Sequence, residues 1–224
     1  MACSNNAAPA RPFHGTLPPN EIQARRKTAD CIWFKFEGSL GLIATEGTSM
    51  IIYPDERIAL FIDGANLHNT LKLIGLELDY RKVLDYFTKS GRLIRANYYT
   101  AMWDDQDYSA LRPLVDWLDY NGFNVVKKPA REQIDAQGKR RIKGNMDVDM
   151  AVDMLELAPH LDHMVLFSGD GDFRRLVEAI QRKGVRVTVV STLRASQPVL
   201  ADELRRQADQ FVDLADTASD LARR

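Results

Sequence analysis

At 224 residues, 45 % apolar and 27 % charged, the chain is long enough to bury one good-sized core and has the make-up of an ordinary soluble globular protein. Its formal charge of −1 excludes nucleic-acid binding by bulk charge alone but leaves room for local basic patches. No apolar run approaches the roughly 18 residues of a membrane span, and "MACSNNAAPARPF" lacks the basic start and apolar core of a secretory signal. Both cysteines, Cys3 and Cys31, fall before residue 50, so a disulfide framework and thiolate metal ligands are excluded from the rest of the chain. A cytoplasmic protein is the expectation.

Composition changes near residue 50. Residues 1–49 are rich in Pro, Asn and Ala and have no sustained periodicity, apart from "CIWFKFEGSLGLIA" (31–44), which is apolar enough for a strand or two. They read as an N-terminal extension, either disordered or upstream of a true start at Met50.

Strand and helix signals then alternate. "RIALFI" (57–62) is a buried strand, followed by helical spacing over 67–76 and 80–91. "RLIRANYYTA" (92–101) is the next strand, 107–122 a helix stopped by Asn-Gly, and "FNVVKK" (123–128) a strand. A polar, basic loop or ribbon covers 129–143, then come a helix over 147–158, the strand "HMVLF" (163–167) and a helix over 172–184. "VRVTVVS" (185–191) is a strand and 198–209 the last helix, which leaves 216–224 as a tail. The apolar stripe of 198–214 suits packing on the sheet better than on a second subunit; a homodimer stays the alternative.

Near-continuous Val, Ile and Leu strands alternating with helices imply an α/β protein: a doubly wound α/β/α sandwich with a mainly parallel central sheet. Ligands of such folds sit beyond the carboxyl ends of the strands, where strand order reverses.

That edge is where the acids fall. "FIDGAN" puts Asp63 at the end of the first core strand with Asn66 three residues on, "KGNMDVDMAVD" starts a helix at Asp147, and "SGDGDF" puts Asp170 and Asp172 after the fourth core strand. If the first and fourth strands flank the switch point, four carboxylates converge in one cleft. They cannot all stay ionised without a counter-charge, and all-oxygen ligation selects Mg²⁺ or Mn²⁺ over zinc. Gly64, Gly169 and Gly171 read as tight turns that leave room for a ligand. The bland alternative is that single aspartates, Asp147 or Asp172 above all, are helix N-caps. Asp149 and Asp153 point elsewhere on the Asp147 helix and suit solvated or supporting roles, and "WDDQD" (103–107) suits an exposed loop.

A basic run leads into Asp147: Lys127, Lys128, Arg131, Lys139, Arg140, Arg141 and Lys143 against only Glu132 and Asp135. Cations beside a carboxylate metal site suit a polyanion that is both held and cut, with Lys143 nearest the acids; a solvated loop is the alternative. Arg174 and Arg175 either line the same cleft or lie exposed on their helix. "GDGDFRRL" is an incomplete dinucleotide fingerprint, neither G-x-x-x-x-G-K-[ST] nor G-x-S-x-G occurs, and the four histidines show no ligand spacing. His68 suits a helix surface.

"LFIDGANL", "KGNMDVDMAVDML" and "VLFSGDGDFRRLVEAIQRKGVRVTVV", taken together, resemble the NYN domain in its bacterial LabA-like branch, within the PIN-like nuclease superfamily. The resemblance covers roughly residues 55–215 and leaves the first 49 without a counterpart. It implies a PIN-like fold over 50–215 and a Mg²⁺- or Mn²⁺-dependent ribonuclease centre. The family's first acid falls on Asp63 with Asn66 as its supporting Asn, the K-G-x-x-D acid on Asp147, and the S-G-D-x-D acids on Asp170 and Asp172. Ser168 matches the Ser that orients a carboxylate. RNA, single-stranded by expectation, would meet Arg140, Arg141, Lys143 and Arg174. Family chemistry implies hydrolysis to a 5′-phosphate and a 3′-hydroxyl. A non-catalytic RNA-binding regulatory module is the alternative. A small-molecule phosphohydrolase is disfavoured, since no D-x-D follows the first strand.

Overall fold

The computed structural model describes residues 31–36, 39–44, 50–102, 111–129, 131–134, 140–143 and 146–223, with 31–36, 39–44, 131–134 and 140–143 described by backbone pairing. The rest of the N-terminal extension and the 103–107 acidic run lie outside the described residues. The chain divides into two units at Glu46/Gly47. In the first, β1 (Cys31–Phe36) and β2 (Ser39–Ala44) pair as an antiparallel hairpin.

The second unit carries, in order, β3 (Arg57–Asp63), α1 (Gly64–Ile74), α2 (Tyr80–Ser90), β4 (Arg92–Met102), α3 (Arg112–Tyr120) and β5 (Asn124–Pro129). An antiparallel ribbon, β6 (Arg131–Ile134) with β7 (Arg140–Lys143), occupies the basic segment. Then follow α4 (Asp147–Leu157), β8 (His163–Phe167), a 3-10 turn (Gly171–Phe173) running into α5 (Arg174–Gln181), β9 (Arg186–Ser191), α6 (Asp202–Gln207), β10 (Gln210–Asp213) and α7 (Ala218–Leu221).

Six strands form one sheet in the order β10-β9-β8-β3-β4-β5, and every pair is parallel. Strand order reverses between β3 and β8, so the expected switch point lies between the first and fourth core strands.

Both faces are covered, which is why the central strands read as unbroken apolar runs. On β3, Ile58, Leu60 and Ile62 join one core with Leu67 and Leu71 of α1, Val83 and Phe87 of α2 and Leu118 of α3. Ala59 and Phe61 point to the other face, against Met150 and Met154 of α4, Val177 and Ile180 of α5 and Leu204 of α6. Residues 58–62 are 0 % exposed, so truncating Phe61 to alanine would cost about 3–5 kcal/mol. Rigid central strands hold the loops at their carboxyl ends in fixed register.

Two elements depart from the sequence reading. The helix expected over 198–209 is only Asp202–Gln207, and the residues after it form a sixth strand, β10, paired with β9 from Thr188 to Ser191. "QFVD" gives a weak strand signal, and Asp213 is buried because its carboxylate accepts from the Thr192 hydroxyl and from the backbone N–H groups of Leu193 and Ala215. Beyond it α7 buries Leu221, and Ala222 bridges to Leu78. Among the described residues no helix is long and apolar enough to cross a membrane.

Candidate active site

Asp63 closes β3 and caps α1: one carboxylate oxygen accepts the Asn66 N–H at 3.1 Å and the other the Ser168 hydroxyl at 3.3 Å. Ser168 follows β8, is 1 % exposed, and its oxygen accepts the Asp170 N–H at 3.2 Å. Asp170 in turn caps the 3-10 turn by accepting the Asp172 N–H at 3.0 Å. Asn66 reaches across the switch point, where its Oδ1 accepts the Gly169 N–H at 3.1 Å. The loops after β3 and β8 are thus one hydrogen-bonded unit.

The capping reading therefore lands on other residues than the sequence suggested. Asp63 and Asp170 are the N-caps, whereas Asp147 is the first residue of α4, whose cap is Met146, and Asp172 lies inside the 3-10 turn.

The carboxylates of Asp147, Asp170 and Asp172 each offer an oxygen within 4.8 Å of the others. Asp63 is not in that trio, but it lines the same cleft, of about 310 Å³, with Asp147 and Asp170. Burial raises the Asp63 pKa; the Asn66 N–H works against the rise and the charge on Asp147 adds to it. Among the described residues no lysine or arginine forms an ion pair with Asp63, Asp170 or Asp172.

The donor set fits a hard divalent cation. Oxygens on opposite sides of one such ion stand about 4–5 Å apart, given bonds of about 2.0–2.6 Å, which the trio's spread meets. Among the described residues the cleft lining offers carboxylate and amide oxygens and no His or Cys, a donor set that suits Mg²⁺ or Mn²⁺ better than zinc.

The glycines have another reason than the one expected. A Cβ on Gly169 would stand 1.8 Å from the Val199 carbonyl oxygen, one on Gly171 2.8 Å from Glu203, and one on Gly64 2.8 Å from the Tyr98 ring. They admit neighbouring chain, not ligand, and none has a positive φ.

Arg140, Arg141 and Lys143 lie on β7, described by its backbone pairing. Two other cations of the basic run are held by acids: Lys127 pairs with Asp119, and Lys128 with Asp149 at 2.9 Å. Arg174 and Arg175 do not line the cleft; they converge on Glu178 of their own helix at 3.9 and 2.6 Å. His68 is exposed and lines a different cavity.

Sequence reasoning missed Asn69, Tyr99 and Thr100, which also line the cleft. The signal was present in "NYYTA", because β4 neighbours β3 and Tyr99 pairs in register with Asp63. An aromatic in a buried strand reads as core, and Tyr99 is indeed 0 % exposed and stacked on Phe61. Its hydroxyl nevertheless donates to Asp153 at 2.9 Å, tying β4 to the helix that presents Asp147 and giving Asp153 a supporting role.

Comparison with known proteins agrees with this architecture. Residues 57–215 match the NYN domain. The low amplitude and bright protein LabA of Synechococcus elongatus is 36 % identical over 167 residues, covering 73 % of this chain and 86 % of the relative. A crystal structure of a Vibrio parahaemolyticus protein of unknown function superposes with a TM-score of 0.62 at 30 % identity, covering 78 % of this chain and all of the other.

Proposed function

The chain belongs to the NYN domain family, in its LabA-like branch and so among the PIN-like nucleases, and from that premise we propose that it is a metal-dependent endoribonuclease of single-stranded RNA, acting in the cytoplasm. The observation that carries this reading is the trio of carboxylates with oxygens within 4.8 Å, beside a fourth acid whose pKa is raised. Such a cluster is costly unless a cation shares it.

Asp147, Asp170 and Asp172 would be the oxygen donors for Mg²⁺ or Mn²⁺, and Asp63 would hold the ion directly or through water. When bound, such an ion would supply polarisation of a phosphodiester and an activated water for in-line attack. Ser168 and Asn66 fix the carboxylates: Ser168 donates to Asp63 and accepts from Asp170, and Asn66 ties the two loops. The ribbon cations Arg140, Arg141 and Lys143 draw the RNA backbone towards the acids.

The test is incubation of the full chain with single-stranded RNA in Mg²⁺, Mn²⁺ or EDTA, followed by analysis of the product ends. Metal-dependent cleavage leaving 5′-phosphate and 3′-hydroxyl ends is expected. Products ending in 2′,3′-cyclic phosphate would contradict the scheme, and RNA binding without cleavage would favour a regulatory module.

A further inference from the structure

A second cavity, of about 780 Å³, opens among α1, α2 and α3. Its walls are partly apolar, with Leu71, Leu78 and Leu114, and in its lining the Arg81 guanidinium lies over the Trp117 ring, 5.9 Å from the centroid. A planar cation against an indole is a surface on which nucleobases stack. The volume falls in the range of small-ligand sites.

Charge points the same way. Lys72, Arg81 and Arg223 line the cavity, and among the described residues none forms an ion pair with a carboxylate. Of the two acids among the described lining residues, Asp79 caps α2 by accepting the N–H groups of Arg81 and Lys82, so its charge is turned into the helix N-terminus; Glu77 is the other.

Helix α1 connects this cavity with the acidic cleft. Asn66 and Asn69 line the cleft, while His68 and Lys72 line the cavity. Asn69 and Lys72 are about 4.5 Å apart along the axis, less than one turn. The cleft itself repels phosphate, and Arg174, Arg175, Lys127 and Lys128 are engaged by acids. Beyond the ribbon cations assigned above, affinity for a polyanion then draws on cations elsewhere.

We propose that this cavity is a nucleotide subsite for single-stranded RNA running from the acidic cleft, with a base stacked on Trp117 and Arg81 and phosphates held by Lys72 and Arg223. The proposal rests on the ribonuclease reading above.

The test uses the full chain in EDTA, where RNA is bound without being cut. An oligouridine of about 12 nucleotides carrying 4-thiouridine is titrated over a range of salt and photo-crosslinked, and the labelled peptides are mapped. Crosslinks at Trp117 or its neighbours in the cavity are expected. Lys72→Gln with Arg223→Gln should weaken binding about tenfold and lower the salt slope by about 1.4, two phosphate contacts at about 0.7 each. Trp117→Tyr should keep most of the affinity and Trp117→Ala lose about tenfold, with unfolding temperature as the folding check. Crosslinks confined to other surfaces, with RNA bound, overturn the subsite and leave the ribonuclease reading standing. Absence of RNA binding by the unaltered chain at any salt overturns both.

Discussion

The Asn66 side-chain oxygen accepts the backbone N–H of Gly169 at 3.1 Å, across 103 residues of sequence. This bond joins the segment after Asp63 to the loop that presents Asp170, so one amide, with the Ser168 hydroxyl, holds the acids at their spacing. Asn66→Ala should destabilise the chain by about 1–2 kcal/mol, the cost of a half-buried N–H left unpaired. It should also slow RNA cleavage at least tenfold, because acids misplaced by about 1 Å lose their common geometry. Unaltered turnover in Asn66→Ala would show that the strap does not set the site.

Gly169→Ala tests why the second loop is glycine-rich. The added methyl would meet the Val199 carbonyl oxygen at 1.8 Å, and that atom belongs to backbone anchored by the Ala201 N–H to Gly169 carbonyl bond at 2.9 Å. A loss of about 3 kcal/mol in urea unfolding is expected. A variant as stable as the parent would mean that the loop yields without cost.

Asp63 carries a stability penalty that metal should relieve. Its pKa is raised above the ordinary aspartate value by burial, against the Asn66 N–H and with help from Asp147. The folded state therefore binds the proton more tightly than the unfolded state. Its contribution is full below the ordinary value and is lost as pH rises through the raised one. In EDTA at neutral pH, Asp63→Asn should be more stable than the parent by on the order of 1 kcal/mol, since asparagine also caps helices. Mg²⁺ or Mn²⁺ should raise the unfolding temperature of the parent and do so less in the variant. A variant less stable than the parent in EDTA would contradict the penalty.

How much of this was legible in the sequence follows from what each signal depends on. Strands β3 and β8 were plain because both faces are buried, and an unbroken apolar run has few other meanings. That they flank the switch point was a supposition the sequence could not derive, and the sheet order β8-β3 is what puts Asp63 and Asp170 on one edge. Strand β10 was hidden: its four residues continue the apolar stripe read as helix and end in an aspartate whose burial depends on Thr192 and two backbone amides. The Tyr99–Asp153 bond depends on which way α4 lies against β4, a tertiary fact. Gly169 was visible as an exception, but its reason, the Val199 carbonyl, sits thirty residues away.

At the opposite end of the sheet, His163 is 0 % exposed, with Nε2 2.8 Å from the Thr188 hydroxyl and Nδ1 3.2 Å from Arg186. Burial, aided by the Arg186 charge, pushes its pKa down to about 4 against the opposing pull of Glu56 and Asp209. The unfolded chain takes up this proton first, so stability is full above the ordinary histidine value and falls as pH drops towards 4. Between about pH 7 and pH 5 the loss should be about 2 kcal/mol, and His163→Gln should lack that part of the slope. Equal slopes in both proteins would place the titration elsewhere.

The central claim is that the clustered aspartates are a catalytic metal site. The most direct measurement is cleavage of end-labelled single-stranded RNA by the full chain and by Asp170→Asn, each in Mn²⁺, Mg²⁺ and EDTA. Cleavage by the parent that needs metal, and a loss of at least a hundredfold in Asp170→Asn, is the predicted result. Equal cleavage by the two proteins, or cleavage that persists in EDTA, would contradict it.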